Sequence, residues 1–253
     1  MRLVLALAYV VKACAAISAV NRKACQQPTQ NPLDGCPKNT ILVGAGQTYT
    51  TVQSAILSLS NSTDAAHILI LPGNYTEQVN VTHSAPVYLF GQTKFPNNQR
   101  KNEVNIIWRN ATGASISPNI DNTFTSTLTV APTLNASYTG TGPTGNPVPA
   151  DTPFGNADFR AYNIDFINDY APYSAGPALA VSVSYANTGF YYCGFYSYQD
   201  TVSIATSNSG GEAKCSLRCT WVSWATPTST KTKSLVRPTS SMVLVRRGSN
   251  QAL

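Results

Sequence analysis

Apolar residues at Val52, Ala55, Ile56 and Leu59 recur with helical spacing, and Thr50 or Thr51 stands where an N-cap belongs. One short helix is therefore predicted there. Downstream the period changes. His67–Leu71, Glu77–Val81, Val87–Phe90, Val104–Trp108, Ser126–Val130, Phe159–Ile167, Ala178–Ser184, Gly189–Phe195 and Thr201–Ile204 are short runs rich in β-branched and aromatic residues. Each reads as a strand, and Pro72-Gly73 after the first is a turn signal.

A short helix followed only by short strands implies a sandwich, a barrel or a solenoid. Asn-Gly and Asp-Gly hairpin signals are scarce between the strands, and Asp34-Gly35 lies ahead of them. That disfavours tight hairpins and leaves room for parallel coils, in which each strand pairs with one a full coil later. The endings Asn163-Ile164-Asp165-Phe166 and Tyr192-Cys193-Gly194-Phe195 are alike, as stacked coils would require. In a solenoid the early helix would cap the first coil and block edge-to-edge association. Residues 131–156 turn to Thr, Gly, Pro, Ala and Asn, which marks a long surface excursion.

Composition narrows the compartment. Only 11% of the 253 residues are charged, 13 are Tyr, and Ser, Thr, Asn, Gly and Pro abound, which suits one extracellular β-rich domain. Arg2, the apolar run Leu3–Val11 and the small residues Ala13, Ala15, Ala16, Ser18 and Ala19 predict a secretory signal over 1–19, interrupted by Lys12. An N-terminal extension over 20–37 follows. Asn61, Asn74, Asn80, Asn110 and Asn135 each open an Asn-x-Ser/Thr sequon. Cys25 and Cys36 bracket a Pro- and Gln-rich segment and form a candidate disulfide outside the cell. Cys193 reads as a small core residue, and Cys215 with Cys219 lacks the further ligands that zinc needs. No metal or cofactor is expected.

The net charge of +6 is not a nucleic-acid footprint. The first 211 residues balance, and the excess lies from Glu212 onward, where seven basic residues face one acid. No other apolar run is long enough to span a bilayer, so no membrane partner is expected. Gly44-Ala45-Gly46 lacks the context of a nucleotide loop.

The densest chemistry lies in Phe190-Tyr191-Tyr192-Cys193-Gly194-Phe195-Tyr196-Ser197-Tyr198-Gln199-Asp200-Thr201. An amide and a carboxyl stand side by side after an aromatic run, as a carbohydrate-ester site on a rigid β surface would need. No aspartate follows Asp200, and the only later carboxylate side chain is Glu212.

Several blocks, in order, resemble the pectin methylesterases, particularly fungal members. They are Thr51-Val52-Gln53-Ser54-Ala55-Ile56, Gly73-Asn74-Tyr75-Thr76-Glu77 with Val87–Gly91, Thr123-Phe124-Thr125-Ser126, Phe159–Phe166 and Tyr198-Gln199-Asp200-Thr201-Val202. The resemblance implies an all-β, right-handed single-stranded parallel β-helix of the pectin-lyase-like kind, N-terminal part only, with a short capping helix. It implies hydrolysis of methyl esters of polygalacturonate, releasing methanol, by a secreted and cell-wall-associated protein that acts as a monomer. By resemblance, Asp200 is the general acid/base and Gln199 the oxyanion donor, while Thr123 lies near the substrate groove. Tyr196, Tyr198 and Tyr185 are candidates to stack on sugar rings; tyrosines on strands also simply pack. His67 and His83 read as structural, and Glu77 as a carboxylate that holds a turn.

Three departures mark this chain. The family's second oxyanion glutamine falls where Pro177 stands, ahead of Ala178-Leu179-Ala180-Val181. The nucleophile motif Asp-Phe-x-x-Gly is absent, and so is the Arg-Pro-Trp arginine, which Leu235-Val236-Arg237-Pro238-Thr239 only mimics. The division expected is a partial β-helix domain over 38–206 and a Ser/Thr/Lys/Arg-rich, disordered tail over 207–253, from a frameshift, a retained intron or alternative splicing. Two rival readings are a non-catalytic pectin-binding protein and a related β-helix galacturonase or lyase.

Overall fold

The computed structural model describes residues 19–113, 120–140, 145–171, 176–199, 202–205, 216–220, 223–225 and 234–235. Helix α1 (Ala19–Gln26) and strand β1 (Ile41–Val43) precede α2 (Val52–Leu57). The chain then winds in rungs of three strands. The first full rung is β2 (Ala66–Ile70), β3 (Gly73–Thr76) and β4 (Val79–Val81), and the second is β5 (Val87–Gly91), β6 (Val104–Trp108) and β7 (Leu128–Val130). The third is β8 (Phe159–Tyr162), β9 (Ile164–Asn168) and β10 (Val181–Ser184), and the fourth is β11 (Asn187–Tyr191), β12 (Gly194–Tyr196) and β13 (Val202–Ala205).

Each strand lies parallel on its counterpart one rung away, which builds three sheets. The first runs β1-β2-β5-β8-β11, the second β3-β6-β9-β12 and the third β4-β7-β10-β13. The alike endings noted in the sequence fall in register, with Asp165 opposite Gly194 and Phe166 opposite Phe195. A further partial rung adds β14 (Ser216–Thr220) to β11 and β15 (Ser223–Ala225) to β12, while β16 (Ser234–Leu235) closes antiparallel on β15. The sequence beyond Ile204 shows no strand rhythm, yet pairing is found there. The unpaired N–H and C=O groups of β11 and β12 offer a template whatever the side-chain pattern.

Side chains stack in columns inside the solenoid. Ile68, Leu89, Ala161 and Phe190 form one, and Tyr75, Ile106, Phe166 and Phe195 another, both buried. Where the columns turn aromatic, Phe190 meets Phe195 edge-on at 5.0 Å and Phe166 at 6.1 Å. The Phe residues of the 190–201 run are thus core, and Cys193 is buried among them.

Two predicted strands are each two strands. The runs 159–167 and 189–195 break at Asn163 and Tyr192, which have φ of 53° and 57°. A single left-handed residue turns the chain from the first sheet into the second. Gly91 holds the same corner one rung earlier, and a Cβ there would lie 2.2 Å from the Asn163 carbonyl oxygen. Glycine is required at that close approach.

The sequence does not foresee α1, which lies on the outer face of the first sheet. There Cys25, Leu69, Tyr88 and Phe90 form a second buried cluster, and Cys25 is disulfide-bonded to Cys36. Gln26 bridges two rungs, donating to the Gly91 carbonyl at 2.8 Å and to Asn163 Oδ1 at 3.0 Å. Arg22 packs over the Tyr162 ring at 4.7 Å. His67 lies against Tyr88 and Phe90, and burial holds its pKa down, so it packs as a neutral ring.

The predicted helix is α2, and Thr51 caps it by accepting from the Ser54 N–H. Glu77 completes the cap from the β3–β4 corner, its two oxygens accepting from Val52 N and Gln53 N at 2.8 Å each. A carboxylate at a helix N-terminus satisfies two orphan donors and meets the positive end of the dipole. Replacing Glu77 by Ala is expected to cost about 1–2 kcal/mol. Urea unfolding of the two proteins checks this, and an unchanged midpoint would deny the cap any role in stability.

Candidate active site

The chemistry gathers where the chain passes from the second sheet to the third. That corner takes two residues after β3, but 19 after β6 (109–127), 12 after β9 (169–180) and five after β12 (197–201). Asp200, in the last of these, lies outside the described residues.

Gln199 is half-buried, and its carbonyl accepts from the Ala178 N–H at 3.2 Å. Ser197 donates to the Ala178 carbonyl at 2.5 Å and lies 3.4 Å from that of Gln199. The two rungs are therefore clamped together at this corner. Pro177, beside the clamp, accepts from Thr112 N–H at 2.9 Å through its carbonyl and has no amide side chain to offer.

Below the clamp sits Asn168, 1% exposed. Its Nδ2 lies 2.9 Å from the carbonyls of Asn110 and Thr125 and 3.1 Å from that of Leu179. The loops of two rungs are thus held by one amide. A buried amide is stable only when so fully bonded. A small pocket opens here, lined by Ala111, Asn168, Tyr170, Ala178, Ser197 and Tyr198. Arg109 and Asp169 pair near these linings at 2.8 and 3.1 Å, half in solvent, where an ion pair contributes little.

The remaining sequence-predicted residues separate. Tyr198 lines the pocket beside Gln199. Thr123 is 1% exposed, with its hydroxyl 2.9 Å from Ser137 Oγ and 3.1 Å from Ser182 Oγ, so it supports the third sheet's outer face from beneath. Ser137 belongs to the long excursion, which therefore packs onto that sheet. Asp121 fastens it: the fully buried carboxylate accepts from the N–H groups of Thr123, Thr139 and Asn146 and from the Thr139 hydroxyl, at 2.6–3.1 Å. Nothing local in the sequence sets Asp121 apart.

Tyr196 faces away from the pocket, on the outer side of the second sheet. Its hydroxyl bonds Asp165, one rung below, passing over Gly194. A Cβ at Gly194 would lie 2.4 Å from the Tyr196 ring and 2.7 Å from Asp165 Oδ1. Asn102 also donates to Asp165, at 2.6 Å. Burial pushes the Asp165 carboxyl up to about 6, against the opposing bonds from Asn102, the Gly194 N–H and Tyr196. Tyr196 is pushed up as well, by burial and by that carboxylate. Asp165 lies outward between the buried Ile164 and Phe166, and its partners come from the rungs on either side.

Because the folded pKa of Asp165 exceeds its ordinary value of 3.8, folding favours the protonated acid. Its stabilising contribution is full below about pH 4 and is lost as pH rises through about 6. A two-unit shift corresponds to at most ~3 kcal/mol. Asp165→Asn is expected to flatten the fall in unfolding free energy between pH 4 and 7 by up to that amount, measured by denaturant titration at each pH. Parallel curves for the two proteins would show that Asp165 does not titrate in this window.

No protein-family model matches the chain. Curated relatives do. Pectinesterase A of Emericella nidulans is 28% identical over 166 residues, which is 66% of this chain and 42% of that protein. Probable pectinesterase A of Aspergillus niger is 26% identical over 198 residues, 78% of this chain and 51% of that one. The chain thus spans about half the length of the curated relatives it matches or less. Among solved structures, the pectin methylesterase from Aspergillus niger superposes with a TM-score of 0.50 at 22% identity, covering 76% of this chain and 55% of that one. This likeness concerns the fold. The chain is similar to fungal pectinesterases over 66–78% of its length, and its described rungs form a right-handed single-stranded parallel β-helix.

Proposed function

We propose that this protein is a secreted pectin methylesterase by descent, with its ester site at the 198–200 corner and with impaired turnover. The observation that carries the reading is the clamp of Gln199 to Ala178 beside a small pocket, in a chain related to fungal pectinesterases. Methyl-esterified homogalacturonan is the substrate class, pectate and methanol are the products, and a monomer working in the cell wall suffices.

Gln199 would donate to the carbonyl oxygen as charge develops on it. Asp200 would deliver a proton to departing methanol and then take one from water. An acyl-enzyme route also needs an ionised carboxylate as nucleophile, and the motif that supplies it is absent. Pro177 removes a second amide donor, and one such donor is worth about 10²–10³ in kcat. Both losses act on the transition state and leave ground-state binding intact. Pro177 therefore also favours the second reading, a protein that holds pectin without hydrolysing it.

Methanol release from highly methylated pectin, together with retention on a pectin column, tests the proposal on the full chain. Retention is expected, with slow release that Asp200→Asn abolishes. Rapid turnover would overturn the impairment, turnover indifferent to Asp200→Asn would overturn the site, and failure both to bind and to turn over would overturn the family function.

A further inference from the structure

Two of the solenoid's outer faces are covered, the first sheet by α1 and the disulfide loop and the third by the excursion. The second sheet differs at its first full rung, where Asn74 and Thr76 of β3 stand exposed. Residues two apart on a strand share a face, so the amide and the hydroxyl of the Asn74-Tyr75-Thr76 sequon project side by side while Tyr75 between them is buried. Asn105, in register on β6, donates from Nδ2 to Asn74 Oδ1 at 2.8 Å. That bond occupies the oxygen of the Asn74 amide and leaves its nitrogen toward solvent.

We infer that Asn74 is an N-glycan acceptor. In the transfer, the anomeric carbon of a lipid-pyrophosphate-linked oligosaccharide breaks its bond to the pyrophosphate and bonds to Asn74 Nδ2, which gives up one proton. The carbonyl oxygen is unchanged, so the Asn105 bond survives and orients the glycan outward. Asn135 has only half of the signature: it is exposed and its Oδ1 accepts from the Tyr138 hydroxyl at 3.0 Å, but Ser137, the hydroxyl residue of its sequon, is 1% exposed. Two other sequons are closed. Thr112 of Asn110-Ala111-Thr112 is 3% exposed, with its hydroxyl 3.2 Å from Asn122 Oδ1, and Ala111 is fully buried. Asn80 is half-buried, its backbone N–H and carbonyl both bonded by Gln53. A bulky glycan belongs on a surface, so a folded chain keeps one at Asn74 and none at Asn80 or Asn110. The inference assumes passage through a secretory compartment and is independent of esterase activity.

The full chain, produced in yeast behind the host's own leader, supplies the test. Secreted and cell-retained pools are digested with peptide N-glycosidase in heavy-oxygen water and mapped by mass spectrometry. Labelled aspartate at position 74 is expected, together with loss of that label and of one glycan's gel shift in Thr76→Ala, a change at an exposed position. Asn80 and Asn110 are expected to stay unlabelled in the secreted pool. An unlabelled Asn74 in both pools would overturn the proposal, as would label at Asn80 or Asn110 in secreted chains.

Discussion

Everything in this solenoid hangs on the in-register, parallel hydrogen bonding of each rung to the next. The backbone bonds fix which residue lies over which, so a side chain's neighbours are set by positions one rung away and not by its own flanks. Columns of buried aliphatic and aromatic groups follow, because an inward position on one rung forces an inward position on every other. The corners obey the same rule. Gly91, Asn163 and Tyr192 occupy one corner on successive rungs, and the chain turns there through a backbone shape that either tolerates or demands a left-handed or crowded residue.

That constraint also explains what could be read from the sequence. Inward residues alternate along each strand, so the strands and their core members were legible, as were α2 and its Thr51 cap. The alike endings at 163–166 and 192–195 were legible because stacking repeats local chemistry. The corners were not: Asn163 and Tyr192 sit inside runs that read as single strands, and a single positive φ leaves no periodic trace. Helix α1 was invisible for another reason. Its apolar contacts are with Leu69, Tyr88 and Phe90, which come from rungs far along the chain.

The candidate site divides along the same line. Gln199 and Tyr198 were found through a motif, and the structure brings them to one corner. Thr123 lies in the same corner's longer loop two rungs earlier but is buried between the third sheet's outer face and the excursion, and Tyr196 faces outward from the second sheet. Asn168, Asp121 and Asp165 went unnoticed because their significance lies in partners. Asn168 bonds Asn110, Thr125 and Leu179; Asp121 bonds Thr139 and Asn146; Asp165 bonds Asn102 and Tyr196. A buried polar group is defined by what satisfies it, and in a β-helix that information is scattered over rungs.

The clamp at Ala178 and Gln199 shows how such a fold can change side chains while keeping shape. Its hydrogen bonds run through main-chain N–H and C=O groups and the Ser197 hydroxyl, none of which depends on the side chain at 177. Proline there costs only an N–H, and its carbonyl still receives the Thr112 N–H. The corner can therefore retain its geometry whichever side chain stands at 177. Shape at this corner is under backbone control and reactivity is under side-chain control. Substitution there can then change the side-chain chemistry without unwinding the rungs, beside a pocket lined by Tyr170 and Tyr198.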